Sequence, residues 1–172
     1  MLMQPMKMQQ NQQMNPQMMQ PQGMTSFPPN SQPWNDQSKY AAKTFFCYES
    51  DNVANLAPAA AVNLTFNIAG DSDFFWTKAT VFALVGGAAT TRDADQVPAA
   101  TLLIVNTTTG RQYSSSAVPL PNYFGTALFP FILPQITLWE KKSTIQLQLT
   151  NVANATYSAI YLSFLGIKAF TK

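Results

Sequence analysis

Between residues 61 and 170, apolar and polar positions repeatedly alternate with the two-residue period of a half-buried β-strand. Val62, Leu64, Phe66 and Ile68 fall on one side of a strand, and Asn63, Thr65 and Asn67 on the other. Ile145, Leu147 and Leu149 alternate in the same way with Gln146, Gln148 and Thr150. From Tyr157 to Leu165, Ile160, Leu162 and Phe164 share one face, and Ala159, Tyr161 and Ser163 the other. A run of turn formers, Asn151 to Thr156 (NVANAT), separates the last two segments. The pattern predicts that they pair antiparallel, with one apolar face that a second layer must cover.

Further strands are expected at Lys43–Glu49, Phe74–Val85, Thr101–Asn106, Arg111–Ser116, Ile136–Glu140 and Ile167–Phe170. Phe74–Val85 ends at the Gly86-Gly87 break. Val118–Pro134 holds four prolines (Pro119, Pro121, Pro130, Pro134) among Tyr123, Phe124, Phe129 and Phe131. Proline cannot donate to a ladder, so this segment reads as loop or sheet edge packed by aromatics. No amphipathic helical period occurs. About eight short strands joined by loops indicate an all-β fold, an antiparallel β-sandwich that is jelly-roll-like, or a small barrel.

Upstream the pattern vanishes. Residues 1–38 form one compositional block that contains all eight methionines of the chain, interleaved with Gln, Asn and Pro. Lys7 is its only charge before Asp36. With no period and almost no branched aliphatic residues, the block has no core of its own. It reads either as a low-complexity tail, unstructured in free solution, or as an extended arm that orders on a partner. For the second role the apolar anchors are Met6, Met8, Met14, Met18, Met19, Met24, Phe27 and Trp34. Methionine fits irregular apolar grooves, and proline favours an extended chain that loses less entropy on ordering. Trp34 and Tyr40 mark the junction with a folded domain, assigned to residues 39–172.

Composition narrows the chemistry. Apolar residues are 47% of the 172, enough for a core, but charged residues are 10%, against about 25% in an ordinary soluble domain. So few charges protect a surface poorly against association, which points to life in an assembly and to a homo-oligomer. The ten Lys and Arg are scattered and the net charge is +2, so no nucleic-acid stripe is expected. No apolar run approaches the length of a membrane span, and the polar N-terminal block does not read as a secretory signal.

Histidine is absent, which removes the usual general base, proton shuttle and commonest metal ligand. Cys47, the single cysteine, sits among Phe45, Phe46 and Tyr48 and is expected to be a buried small hydrophobe. Two acidic pairs, Asp71 with Asp73 and Asp93 with Asp95, have the oxygen donors of a hard-cation site but also the ordinary chemistry of turns. Glu49, Asp73 and Glu140 supply carboxylates for a glycosidase pair only if two of them meet about 5–9 Å apart. Taken together, no catalytic residue, cofactor or metal ligand is assigned. The aromatics Trp76, Tyr123, Phe129 and Trp139 are candidates for an interface; Trp76, Tyr123 and Trp139 could instead stack on a glycan, but aromatics at strand positions are more often core or subunit-interface residues. Asn63, Asn106 and Asn154 begin Asn-x-Thr triplets, read here as Asn and Thr on outward strand faces and turns.

The Met/Gln/Pro arm, the charge-poor β-domain and the closing segment FPFILPQ…STIQLQLTN…YLSFLGIKAF (residues 129–170) resemble small β-sandwich structural proteins of tailed-bacteriophage virions. The resemblance implies a non-enzymatic, multi-copy particle component, such as a decoration, vertex or head-to-tail protein. Such a component is made in the host cytoplasm, resides in the virion, and has other virion proteins of a shell or connector as partners. A receptor- or glycan-binding fibre domain is the alternative.

Overall fold

A computed structural model describes residues 32–86 and 97–172. Among the described residues, nine strands build two antiparallel sheets: β1 (Tyr40–Glu49), β2 (Ala61–Asn67), β3 (Ser72–Val85), β4 (Ala100–Asn106), β5 (Arg111–Gln112), β6 (Val118–Pro119), β7 (Phe131–Trp139), β8 (Thr144–Asn151) and β9 (Tyr157–Thr171). One sheet has the order β1-β9-β3-β7, and the other runs β2-β8-β4, with β5 and β6 both pairing along β4. β5 meets the Asn106 end of β4 and β6 the Thr101 end, so the two act as one interrupted strand.

The pairing follows a single rule. β1 pairs with β9, β2 with β8, β3 with β7, and β4 with β5 and β6. That is one long hairpin, folded at β4–β6 and rolled up so that β9 also meets β3 and β8 also meets β4. The expected jelly-roll-like sandwich is therefore the fold observed, with its two sheets face to face.

Rolling corrects one expected pairing. β8 and β9 do not form a hairpin with each other: β8 lies between β2 and β4, and β9 between β1 and β3. Their apolar rows, Ile145–Leu147–Leu149 and Ile160–Leu162–Phe164, are buried in the common core between the sheets. The corner between them is clamped by Asn151, which is fully buried. Its Nδ2 donates to the carbonyls of Leu56 (3.0 Å) and Ala155 (2.9 Å), and its Oδ1 accepts from the Ala153 amide (2.8 Å).

The centre of the core is aromatic. The Trp76 and Trp139 rings stack at 5.0 Å, and Phe164 meets both edge-on at 5.2 and 5.3 Å. Each indole N–H has a partner: Trp76 donates to the Lys78 carbonyl (2.8 Å) and Trp139 to the Tyr113 hydroxyl (2.7 Å). Gly166 lies where β3 shifts register between Trp76 and Lys78. A Cβ there would collide with the Phe75 carbonyl oxygen, which is why a glycine interrupts an otherwise apolar strand.

Three expected boundaries move. Ile167–Phe170 is not a separate strand but the end of β9, and Arg111–Ser116 shrinks to the two residues of β5. β7 begins at Phe131, inside the proline-rich segment. It tolerates Pro134 because β7 is an edge strand and the register slips there, Trp76 pairing with Thr137 and Lys78 with Ile132.

Replacing Asn151 with Ala strands two carbonyls and an amide at the corner, so Asn151→Ala is expected to cost about 3 kcal/mol in urea unfolding. Asn154→Ala, on the exposed part of the same turn, should change stability by less than about 0.5 kcal/mol.

Candidate assembly surface

The folded domain begins before β1. Pro33–Asn35 forms a 3₁₀ turn, and Asp36 then fixes the next turn, accepting at Oδ1 from the amide and hydroxyl of Ser38. These bonds hold the Asp36 carboxyl below its ordinary pKa. Trp34 is thereby laid on the outside of the four-stranded sheet, its ring 5.6 Å from Phe75. Tyr40 meets Phe75 from a second side at 5.7 Å. With Ala169 these residues form a small second core, flanked by Ile136, Leu138 and Ile167. Lys43 Nζ donates to Asn35 Oδ1 across the junction.

Asp73 anchors this cluster. Its carboxylate is 3% exposed and accepts from the Tyr40 hydroxyl (2.9 Å) and the Lys141 amide (2.9 Å), with Lys39 Nζ at 3.1 Å. Burial alone raises a carboxyl pKa, but here the Lys141, Tyr40 and Lys39 interactions outweigh it and the pKa lies below its ordinary value. Burial pushes the Tyr40 phenol up, and hydrogen bonds to Tyr40 and Asp73 push the Lys39 ammonium up.

This geometry gives Asp73 a structural task. Asp71 turns to Lys168, 3.3 Å away, and to the Ser72 hydroxyl, while Asp73 serves Tyr40, Lys39 and Lys141. Among the described residues no cluster of three or more potential metal ligands exists; Asp93 and Asp95 lie outside them. Glu49 pairs with Ser163 and Asp73 with Ala169, six residues apart on β9, or about 20 Å along the sheet. These two carboxylates do not form a hydrolytic pair.

Two of the four candidate interface aromatics are corrected. Trp76 (1% exposed) and Trp139 (0%) are core residues, because each lies on the inward row of its strand and fills the space between the sheets. Tyr123 is half-buried, and its hydroxyl is spent on the Tyr113 carbonyl at 2.7 Å. Phe129 is the one that stands out in solvent, 79% exposed beside exposed Leu128. Of the arm anchors, Trp34 packs as described, while Met6, Met8, Met14, Met18, Met19, Met24 and Phe27 lie outside the described residues. Asn63 and Asn154 are exposed, whereas Asn106 is buried, its Oδ1 accepting from the amides of Thr108 and Thr109.

Sequence reasoning missed the outer face of the four-stranded sheet. Register places Phe45, Ile167, Phe75 and Leu138 in one outward row across β1, β9, β3 and β7, and Cys47, Leu165, Lys78 and Ile132 in the next. Phe82 and Tyr161 form a further row, their rings 6.2 Å apart. Phe45 is 64% and Ile132 68% exposed. Cys47 is exposed on this face rather than buried, because the inward row of β1 is Phe46 and Tyr48. Partial desolvation and, secondarily, Glu49 push its thiol pKa up, so it is poorly ionised at neutral pH. The missed signal was present in β9: its outward row, with Tyr161, Leu165 and Ile167, is nearly as apolar as its inward one.

No protein-family model matches the sequence, and no curated protein matches it.

The Asp73 contribution has a definite pH sign. Its folded-state pKa is depressed below the ordinary aspartate value, so the stabilisation is present above that ordinary value and is lost as pH falls through the folded-state pKa. Asp73→Asn should therefore cost about 2 kcal/mol at pH 7, and the gap to the parent should narrow progressively below pH ~4 in denaturant titrations.

Proposed function

We propose that this chain is a non-enzymatic structural subunit of a bacteriophage virion, incorporated in multiple copies and anchored through residues 1–38. The observation that supports it best is the exposed apolar outer face of the β1-β9-β3-β7 sheet, with Phe45, Ile132 and Phe82 in solvent, in a chain only 10% charged. Isolated soluble domains rarely leave such a face uncovered, whereas a particle subunit has neighbours to cover it. The jelly-roll architecture supports the reading by analogy, since it recurs in viral coat domains. Anchoring is folding on binding: the arm loses chain entropy, and burial of Met and Phe surface offsets it. Many copies acting together multiply a modest single-site affinity.

The glycan-binding alternative loses its two best platforms to the core, since Trp76 and Trp139 are buried. The proposal predicts that a chain lacking residues 1–32 folds, by circular dichroism and cooperative unfolding, yet fails to enter particles. Normal occupancy of particles by the truncated chain would overturn it.

A further inference from the structure

We propose that in the unassembled subunit the methionine-rich residues 1–31 fold back across the outer face of the β1-β9-β3-β7 sheet of their own chain. The proposal concerns the free subunit and holds whether or not the virion reading does.

Three observations carry it. The first is where the chain comes from. Gln32 leads into a 3₁₀ turn whose Trp34 already lies on this face, packed on Phe75. The second is what the face offers beyond that turn. Past Phe75 come Leu165 and Ile132 beside Lys78, then one polar row of Glu49, Ser163 and Thr80, then Phe82 and Tyr161, and Phe45, Ile132 and Phe82 are exposed. The small core of Tyr40, Phe75 and Ala169 is therefore the covered end of a longer uncovered strip.

The third is a match of length and chemistry. From Phe75 to Phe82 is seven residues of β3, about 23 Å, while 31 extended residues reach about 100 Å. The arm is long enough to traverse the strip with slack. Its eight methionines suit a surface that mixes aromatic, branched and small side chains at uneven heights. Its single charge, Lys7, demands little desolvation. Because the arm is tethered at the edge of the strip, docking in its own chain forfeits no translational freedom, so it precedes docking of a second copy at ordinary concentrations.

The chain carries its own reporters. All eight methionines lie between Met1 and Met24, so ¹³C-methyl methionine labels nothing but the arm. The single cysteine, Cys47, lies on the face in question. A nitroxide attached to Cys47 of the full chain is expected to remove most of the intensity of several methionine methyl signals, relative to the same sample after reduction. A nitroxide at Asn63→Cys in a Cys47→Ser background, on exposed β2 of the other sheet, should leave them unchanged. Ile132→Cys in the same background repeats the test from the far side of the strip, in case a label at 47 itself displaces the arm. Ile132→Asp, with the label at Cys47, should restore the signals. Mixing nitroxide-bearing chains without ¹³C with ¹³C-methyl chains without nitroxide should show no loss. Full signal intensity with the label at 47 and again with the label at 132 overturns the proposal. Loss that also appears in the mixed sample overturns it as well, since the occupant is then a second copy's arm.

Discussion

The structure depends on a corner. β8 and β9 are neighbours in sequence, each with one strongly apolar row, and both rows must leave water. A flat hairpin would put the rows side by side on one face and leave that face uncovered. Turning the chain out of one sheet and into the other instead sets Ile145, Leu147 and Leu149 across the sandwich from Ile160, Leu162 and Phe164, so that each row becomes the other's cover. The turn itself brings backbone groups out of solvent, and the buried Asn151 side chain satisfies three of them at once. Once that corner exists, the nested pairing of β1 with β9, β2 with β8 and β3 with β7 follows as the chain rolls around it.

The two faces of the four-stranded sheet are consequently asymmetric in cover but not in composition. Inside, Trp76, Trp139 and Phe164 are sealed by the second sheet. Outside, Phe75 is sealed only where Trp34 and Tyr40 lie over it, and that local seal needs Asp73 to hold Tyr40 and Lys39 in place. A buried carboxylate is tolerated there because the Tyr40 hydroxyl, the Lys141 amide and the Lys39 ammonium replace its lost hydration.

Local pattern made most elements legible and left long-range placement open. The inward row of β2, ending in Ile68, is as the alternation predicts, because a half-buried strand writes its period directly into the chain. β3 likewise stops at the Gly86 break, where φ is +66°. The β8–β9 pairing was not legible: period two identifies a row but not which sheet will cover it. For Trp76 and Trp139 residue type alone leaves core, interface and glycan platform open, and their register on β3 and β7 turns both inward into the core. Cys47 failed for a related reason. In a segment as uniformly apolar as Phe45-Phe46-Cys47-Tyr48, parity has no polar partner to reveal it, and the inward side is settled by Phe46 and Tyr48 meeting Phe74 and Phe66. Glu49 and Asp73 do not meet, since they belong to opposite ends of one sheet.

The edges give the charge-poor surface its physical meaning. β7 is protected as an edge, because Pro134 and the slipped register at Thr77 deny a newcomer a continuous ladder. β1 is less protected: from Ala42 to Glu49 it pairs without a slip and holds no proline, and although Lys43 and Glu49 put charge on it, its exposed residues include Phe45. The one register slip of β1 lies at its very start, between Tyr40 and Ala42, and leaves the Phe45 stretch straight. An open edge beside an open apolar face is a liability in a free monomer and an attachment surface in a packed one. Phe45 belongs to both, so covering that one side chain would shield the edge and the face together.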